Sequence, residues 1–185
     1  MIELHQHIEG CKKKERKSQR KLYELFSRQM FSICLRYCKN QSDAEDVLQM
    51  GFIKVFEHID QVNDAQRLAG WIKTIMVRTA LRFIKQKPDF VLYEDHNFSG
   101  EDYEMSLDFD SFTFDKLVNH LHRLPPGYQT VFNLYVFEEM NHSEIAKKLS
   151  CSESTSRTQL FKARKQLQNM ILADHQLKPI VANRI

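Results

Sequence analysis

The residues best suited to chemistry in this chain lie near its C-terminus, in the segment 141–167. Asn141 and Glu144 have the spacing of a capping box, which predicts the start of a helix. The polar triplet 150–152 ends that helix, and apolar residues then recur at helical spacing in a second one. The side chains predicted to point outward from the second helix are Ser154, Arg157, Thr158, Phe161, Lys162 and Lys165. This mixed polar and basic face suits contact with nucleic acid.

Two short helices joined in this way are typical of a helix-turn-helix, in which one helix braces a second that enters the major groove of DNA. The alternative is an ordinary helical hairpin with a solvated basic face. The segment by itself favours DNA binding over the plain hairpin.

The elements that must position this segment are also predicted to be helices. Five are predicted in addition to the pair, over residues 19–38, 42–58, 71–86, 114–123 and 127–137. The first has a long apolar stripe, formed by Leu22, Leu25, Phe26, Met30, Ile33, Cys34 and Tyr37. The second opens with Ser42 and Glu45 at capping-box spacing. No segment alternates well enough to be a strand, so the sequence predicts an all-α fold.

Charge divides the chain into two basic parts and an acidic one. Residues 1–87 carry 17 Lys and Arg against 10 Asp and Glu, and residues 116–185 carry 10 against 5. Residues 88–115 hold nine Asp and Glu and no Lys or Arg. The pattern predicts two small helical domains joined by an acidic linker. The predicted boundaries are an N-terminal extension at 1–18, a domain at 19–87, the acidic linker at 88–113, a helix-turn-helix domain at 114–172 and a tail at 173–185.

The acidic linker also contains aromatic residues, among them Phe90, Tyr93, Phe98 and Tyr103. A solvated spacer would not need them. We therefore expect the linker to dock on a partner or to fold back onto the two domains, and the sequence leaves both alternatives open.

Composition excludes several other classes of protein. Apolar runs are too short to cross a bilayer, and the N-terminus lacks the features of a signal peptide, so a cytosolic protein is expected. The four scattered cysteines, Cys11, Cys34, Cys38 and Cys151, are expected to be reduced thiols rather than disulfides or metal ligands. No Gly-rich phosphate loop, Ser-His-Asp order or metal-ligand set is present, so the sequence predicts neither catalysis nor a cofactor.

Two separate blocks of the sequence resemble a single family. The motifs that carry the likeness are Asp-Ala-Glu-Asp-Val-Leu-Gln at 43–49, Gly-Trp-Ile-Lys-Thr-Ile at 70–75, Leu-Pro at 124–125, Glu-Ile-Ala at 144–146 and the segment 152–163. In this order and spacing, the chain resembles the extracytoplasmic-function group of bacterial sigma factors, the small specificity subunits of RNA polymerase. The likeness covers roughly residues 20–87 and 114–170.

The resemblance implies a promoter-specificity factor that binds core RNA polymerase and has no catalysis of its own. The residues implied in polymerase binding are Asp43, Glu45, Asp46 and Gln49. They would dock on the clamp helices of the β′ subunit, where basic side chains lie. Acids at a helix N-terminus also favour the helix dipole, but that alternative leaves Gln49 unexplained.

The resemblance also implies that the first domain reads the minus-ten element of the promoter. An everted base would be held by Val62, Asn63, Asp64 and Gln66. Extruding a base costs a few kcal/mol of stacking, which contacts to its edge must offset. Phosphates of the same strand would be held by Arg78, Arg82 and Lys85. Arg78 and Arg82 stand where the family often has Asn and Asp, so the chain is more basic here.

In the second domain, the resemblance assigns the minus-thirty-five element to Arg157, Thr158, Phe161 and Lys162. Arginine can bind guanine through two hydrogen bonds, and phenylalanine can touch a thymine methyl group. The chain departs from the family at four nearby positions. Ser150 and Ser154 replace a usual Gly, Ser156 replaces an apolar residue, and Gln159 replaces a common Arg.

The partners implied are core RNA polymerase, through its β′ clamp helices and its β subunit, promoter DNA, and an anti-sigma factor that would hold the chain inactive at the membrane. No small-molecule substrate is expected. The acidic linker would thread the positively charged active-site region and RNA exit channel of polymerase. The alternative function is a free-standing helix-turn-helix regulator that acts without polymerase, which leaves the acidic linker and residues 43–49 without a role.

Overall fold

The computed structural model describes residues 2–93 and 114–173, and it divides the chain into two compact units, residues 1–87 and residues 88–185. Within the two described stretches every regular element is helical, as predicted, and no strand occurs. The acidic linker beyond residue 93 and the tail beyond residue 173 lie outside the described residues.

The first unit is a bundle of three long helices with a shorter helix packed at its side. Its helices are α1 (Ile2–Lys12), α2 (Arg16–Tyr37), α3 (Gln41–Glu57) and α4 (Leu68–Lys85), and short 3₁₀ turns lie at Ile59–Gln61 and Ala65–Arg67. Helices α2, α3 and α4 pack against one another, and α1 packs against α2 and both turns. Helix α1 falls within the N-terminal extension, where the sequence predicted no element.

The core of the first unit lies where the apolar stripes of its helices meet. Met30 of α2, Val47 of α3, and Ile72 and Met76 of α4 are fully or almost fully buried. Burying one such side chain favours folding by about 1.5–3 kcal/mol. A side chain on Gly51 of α3 would collide with Met76, so the glycine lets α3 and α4 approach closely.

One member of the predicted apolar stripe of α2 is exposed rather than buried. Leu25 is 59% exposed, although Leu22, Met30 and Ile33 of the same stripe are buried. At about 100° per residue, Leu25 lies at the edge of that stripe rather than at its centre. Whether an edge residue is covered depends on the neighbouring helices, which helical spacing alone does not specify.

The start of α3 also differs from the prediction. The helix begins at Gln41, and its N-cap is Asn40 rather than Ser42. The Asn40 side-chain oxygen accepts a hydrogen bond of 2.8 Å from the backbone N–H of Asp43. Asparagine caps a helix at least as well as serine, and Asn40 comes first along the chain, so the predicted Ser42–Glu45 capping box does not form.

In the described residues of the second unit there are four further helices, α5 (Phe114–Arg123), α6 (Pro126–Val136), α7 (His142–Leu149) and α8 (Glu153–Ala173). Helices α5, α6 and α7 all pack against α8. The side chains buried where they meet include Phe132, Ile145, Leu160 and Leu167. Pro126 opens α6, a position where the missing N–H of proline costs nothing.

The connection between α7 and α8 has the predicted form. The Asn141 side chain accepts from the Glu144 N–H at 2.9 Å, and the Glu144 carboxylate accepts from the Asn141 N–H at 2.8 Å, which confirms the capping box. Helix α7 ends at Ser150, whose φ of 59° and ψ of 47° lie in the left-handed region. The Ser152 hydroxyl then accepts from the Thr155 N–H at 2.9 Å and begins α8.

The cysteines agree with the prediction of reduced thiols. Cys11, Cys34 and Cys38 are buried, Cys151 is half-buried, and none of them is in a disulfide. Burial raises the pKa of Cys34 and of Cys38 to about 12. In the part of the chain that the structure describes, no group of three or more His, Cys, Asp and Glu could hold a metal ion. No helix in that part has the length and apolar character needed to span a membrane.

Candidate functional site

The predicted polymerase-binding residues lie on the first three turns of α3. Glu45, Asp46 and Gln49 are exposed, and Glu45 and Gln49 are one turn apart on the same flank. Asp43 is different, because one of its carboxylate oxygens lies 3.1 Å from the Asn40 amide and the group pairs with Lys87 at 3.3 Å. Asp43 therefore holds the start of the helix in place, while the other three face outward.

A groove between α2 and α3 runs beside this flank. It has a volume of about 390 Å³, and its lining residues are Tyr23, Ser27, Arg28, Phe31, Glu45, Leu48 and Gln49. The α2 residues of this set were not predicted as site residues. Residues 23, 27 and 31 are four apart, so they share one flank of α2, and that spacing was the signal available in the sequence. The groove, called here the α2–α3 groove, joins aromatic walls to a carboxylate and an amide.

The predicted base-binding residues lie in the connection from α3 to α4. Residues 62–64 separate the two 3₁₀ turns, and Gln66 belongs to the second turn. Asn63, Asp64 and Gln66 are exposed, but Val62 is only 6% exposed. The Asp64 carboxylate accepts from the Gln66 N–H at 2.9 Å and lies 3.5 Å from the Arg67 Nε. The prediction that Val62 forms an accessible apolar wall of a pocket was therefore wrong, because its side chain is buried in the apolar core of the unit.

The basic residues predicted to hold phosphates lie on the outer face of α4. Arg78, Arg82 and Lys85 are exposed and follow one another at spacings of four and three residues, so they form one stripe. Arg82 also lines a depression of about 360 Å³ with the apolar residues Met50, Ile53 and Phe83. The stripe is a continuous positive surface of the kind that binds a phosphate backbone.

The helix-turn-helix residues lie on α8, the predicted recognition helix. Arg157 is exposed and pairs with Glu153 at 3.2 Å, while Phe161 and Lys162 are half-buried. Ser154 and Lys165 are exposed, as predicted. Thr158 is the exception, because its side chain is completely buried and its hydroxyl has no hydrogen-bond partner. The prediction that Thr158 is accessible on the outer face of α8 was therefore wrong.

The neighbour of Thr158 shows what covers this side of α8. Gln159 is also completely buried, and its side-chain N–H donates a hydrogen bond of 2.7 Å to the backbone carbonyl of Tyr93. Tyr93 belongs to the predicted acidic linker. The first residues of the linker thus fold back onto the second unit, one of the two alternatives that the sequence left open.

Ser156, which replaces an apolar residue of the family, is used in a way that the sequence did not predict. Its buried hydroxyl lies 2.9 Å from Nδ1 of His142, and the bond joins α8 to α7. The His142 ring also lies 4.9 Å from that of Tyr135 on α6. A hydrogen bond between α7 and α8, together with a ring contact between α7 and α6, therefore replaces the packing that an apolar side chain would supply.

Comparison with known families matches both units. The family described as "Sigma-70 region 2" matches residues 22–88, and the family described as "Sigma-70, region 4" matches residues 114–167. The first match includes most of α2 and all of α3 and α4, and the second includes α5, α6, α7 and most of α8. The two surfaces described above lie within these two matches.

Individual relatives agree. RNA polymerase sigma factor SigV of Bacillus subtilis is 28% identical over 137 residues, covering 73% of this chain and 80% of SigV. ECF RNA polymerase sigma factor SigW of the same organism is 23% identical, covering 91% of this chain and 96% of SigW. The ECF RNA polymerase sigma-E factor of Haemophilus influenzae is 24% identical, covering 89% and 93%.

The solved structure of CnrH in complex with the cytosolic domain of CnrY aligns with 91% of this chain and 96% of that one, at a TM-score of 0.48 and 15% identity. A likeness of that size adds nothing to the family matches, which rest on both halves of the sequence. From those matches and from the relatives, the chain belongs to the sigma-70 family of RNA polymerase sigma factors, within its extracytoplasmic-function group.

Proposed function

We propose that this protein is a promoter-specificity subunit that binds core RNA polymerase through its first unit and reads promoter DNA with both units. The observation that carries the proposal is the presence of two different surfaces in one chain. One is the aromatic α2–α3 groove, which has Glu45 on its α3 wall and Arg28 on its α2 wall, and the other is the basic recognition helix α8. A free-standing DNA-binding regulator would use the second surface and leave the first without a role.

The α2–α3 groove fits an amphipathic helical partner that places basic side chains toward the α3 wall, where Glu45 lies, and away from Arg28 on the α2 wall. Tyr23 and Phe31 offer apolar contact, and Glu45 and Gln49 offer a carboxylate and an amide along one edge. Asp46, the residue after Glu45, is exposed and adds a second carboxylate to this part of α3. The clamp helices of the polymerase β′ subunit are the partner that family membership suggests for such a groove.

The first unit is proposed to hold the minus-ten element with the turns before α4 and with α4 itself. Asn63 offers an exposed amide that could recognise the edge of an everted base. The Asp64 carboxylate already caps the second turn, so its proposed role is to hold the turn in shape. The stripe of Arg78, Arg82 and Lys85 would bind the phosphates of the same strand, which positions the strand without reading its sequence.

The second unit is proposed to read the minus-thirty-five element with α8. Arg157 is the residue suited to two hydrogen bonds with a guanine, and Phe161 is suited to a thymine methyl group. Glu153 pairs with Arg157 in the free chain at 3.2 Å, and this contact aims the guanidinium until DNA takes its place. With few phosphate contacts, α8 alone should bind DNA weakly and in a strongly salt-dependent way.

Further partners are proposed from family membership. The acidic linker would pass through the positively charged channel of polymerase and contact the β subunit, where its carboxylates would mimic a short RNA. An anti-sigma factor would cover the chain when it is inactive and could hold it at the membrane. Because core polymerase is cytoplasmic, the protein is proposed to act there.

Retention by core RNA polymerase tests this function. The intact chain should be retained on immobilised core enzyme, and the double variant Asp46→Ala, Gln49→Ala should bind at least tenfold more weakly, the effect of losing about 1.4 kcal/mol of contacts. Asp60→Ala with Gln61→Ala removes the same two exposed residue types elsewhere on the first unit and should bind normally. Failure of the intact chain to bind core enzyme, with specific DNA binding on its own, would establish the free-standing regulator instead.

A further inference from the structure

The residues at the start of the acidic linker, Val91–Tyr93, lie against α8 and the N-terminal end of α6, and they are called here the strap. We propose that the strap is an autoinhibitory segment, which covers one flank of the recognition helix in the free chain and must leave before that flank can contact DNA. The inference rests on the proposed reading of DNA by α8, and it adds a control on when that reading occurs.

Three contacts hold the strap in place. The Gln159 side chain donates to the Tyr93 carbonyl at 2.7 Å. The Tyr93 ring meets the Tyr128 ring edge-on, with 6.0 Å between centroids and 68° between planes. The Val91 carbonyl lies directly over Gly127, so closely that no side chain larger than hydrogen would fit there. The strap is therefore seated on the unit by a hydrogen bond, an aromatic contact and a close backbone approach.

On α8 the strap bonds to Gln159, the residue that follows Thr158. At about 100° per residue, Thr158 is located between Lys165 and Lys162 around the helix axis. Lys165 is exposed and Lys162 half-buried, yet Thr158, between them in direction, is completely buried. The direction of Thr158 on the helix therefore does not explain its burial. Of these three residues only Thr158, the one nearest the N-terminus of α8, is completely buried. The next residue, Gln159, bonds to the strap.

The covered flank is not a well-satisfied core. The Thr158 hydroxyl and the Gln159 side-chain carbonyl are both buried without a hydrogen-bond partner. Burying such groups unpaired is unfavourable. Both groups would gain hydrogen-bond partners from water once the strap leaves.

The consequence for DNA recognition follows from how a helix-turn-helix docks. Residues in the N-terminal half of the recognition helix contact base edges in the major groove. With the strap seated, Arg157 is available and Thr158 is not. If only a fraction of the free chains has the strap displaced and can bind DNA with the whole flank, the measured affinity for DNA is lowered by that fraction. Binding to polymerase, which engages the acidic linker, would pull the strap away and remove this penalty.

Thiol labelling of the full chain tests whether the strap covers Thr158. Thr158→Cys and Lys165→Cys, each in a Cys151→Ser background, would be labelled with a charged maleimide; the remaining cysteines are buried. We expect Thr158→Cys to react at least tenfold more slowly, the factor that one hydrogen bond and one aromatic contact can supply. Adding Leu92→Gly and Tyr93→Gly should bring its rate close to that of Lys165→Cys. Equal rates in the intact strap, or protection that survives the strap substitutions, would overturn the proposal.

DNA binding provides the second arm of the test. A fluorescent minus-thirty-five duplex, taken from promoters bound by the reconstituted holoenzyme, should bind the free Leu92→Gly, Tyr93→Gly chain roughly tenfold more tightly than the unaltered free chain. The two holoenzymes should bind the promoter equally. Equal affinity of the two free chains would refute autoinhibition while leaving promoter recognition intact. If the unaltered chain failed to bind core polymerase or to recognise promoter DNA, the proposed function would be refuted instead. The labelling rates depend on neither activity, so they test the position of the strap independently.

Discussion

Replacing Ser150 with glycine should stabilise the second unit. Ser150 ends α7 in the left-handed region, with φ of 59° and ψ of 47°. An L-residue there costs roughly 1–2 kcal/mol because its Cβ crowds the following carbonyl, and glycine has no such cost. Glycine also gives the unfolded chain more freedom, which takes back about 0.4–1 kcal/mol. The expected gain in the free energy of unfolding is therefore about 0.5–1 kcal/mol.

The matched control is the same substitution four residues later. Ser154 is exposed and lies in the first turn of α8, where the backbone is right-handed. Glycine is the poorer helix former of the two, so Ser154→Gly should destabilise the unit by up to about 0.5 kcal/mol. The two substitutions are chemically identical and both restore a residue that the family often has. Because the backbone is left-handed at Ser150 and right-handed at Ser154, the two substitutions are expected to change the free energy of unfolding in opposite directions.

Urea and thermal unfolding of the full chain would measure both effects. Trp71, the single tryptophan, lies in the first unit, so its fluorescence reports that unit and should not change. Circular dichroism at the helix band reports both units. The transition that it shows and that Trp71 fluorescence does not belongs to the second unit, and this transition should shift. For a unit of this size, the expected gain corresponds to a rise in Tm of about 2–8 °C for Ser150→Gly. Shifts of the same sign for the two variants, or a loss of stability with Ser150→Gly, would refute the reasoning.

The remaining predictions concern buried groups. Ser156→Ala removes the hydroxyl that lies 2.9 Å from His142, and it should lower the free energy of unfolding of the second unit by about 1 kcal/mol. The same urea titrations would measure this loss. An unchanged midpoint would show that the contact contributes nothing to stability. A thiol reagent at pH 8 should modify native Cys151 but not Cys34 or Cys38, because burial raises the pKa of both to about 12, and mass spectrometry of the labelled chain checks this. The unfolded thiols ionise near pH 9 while the folded ones stay neutral, so stability should be full below pH 9 and fall as the pH rises toward 12. A free energy of unfolding that stays constant between pH 8 and pH 11 would contradict this.

The elements of the fold that were predicted well are those set by neighbouring residues. The capping box of Asn141 and Glu144 formed as expected, and α5 has the predicted bounds, because caps and helical periodicity act within one or two turns. The N-cap of α3 lies two residues before the predicted one, for a reason that is also local. Asn40 and Ser42 both suit an N-cap, and the earlier of the two forms the hydrogen bond.

Local patterns were enough to predict an all-helical chain with two basic parts, its helix-turn-helix, and the outward position of Glu45, Gln49 and Arg157. They could not predict which residues would be covered by parts of the chain far away in sequence. Gln159 is buried against Tyr93, 66 positions earlier, and Val62 is drawn into the core while its neighbour Asn63 stays exposed. Burial is decided by such contacts, because a side chain leaves water only when another part of the molecule covers it, and only the tertiary structure shows which part does so.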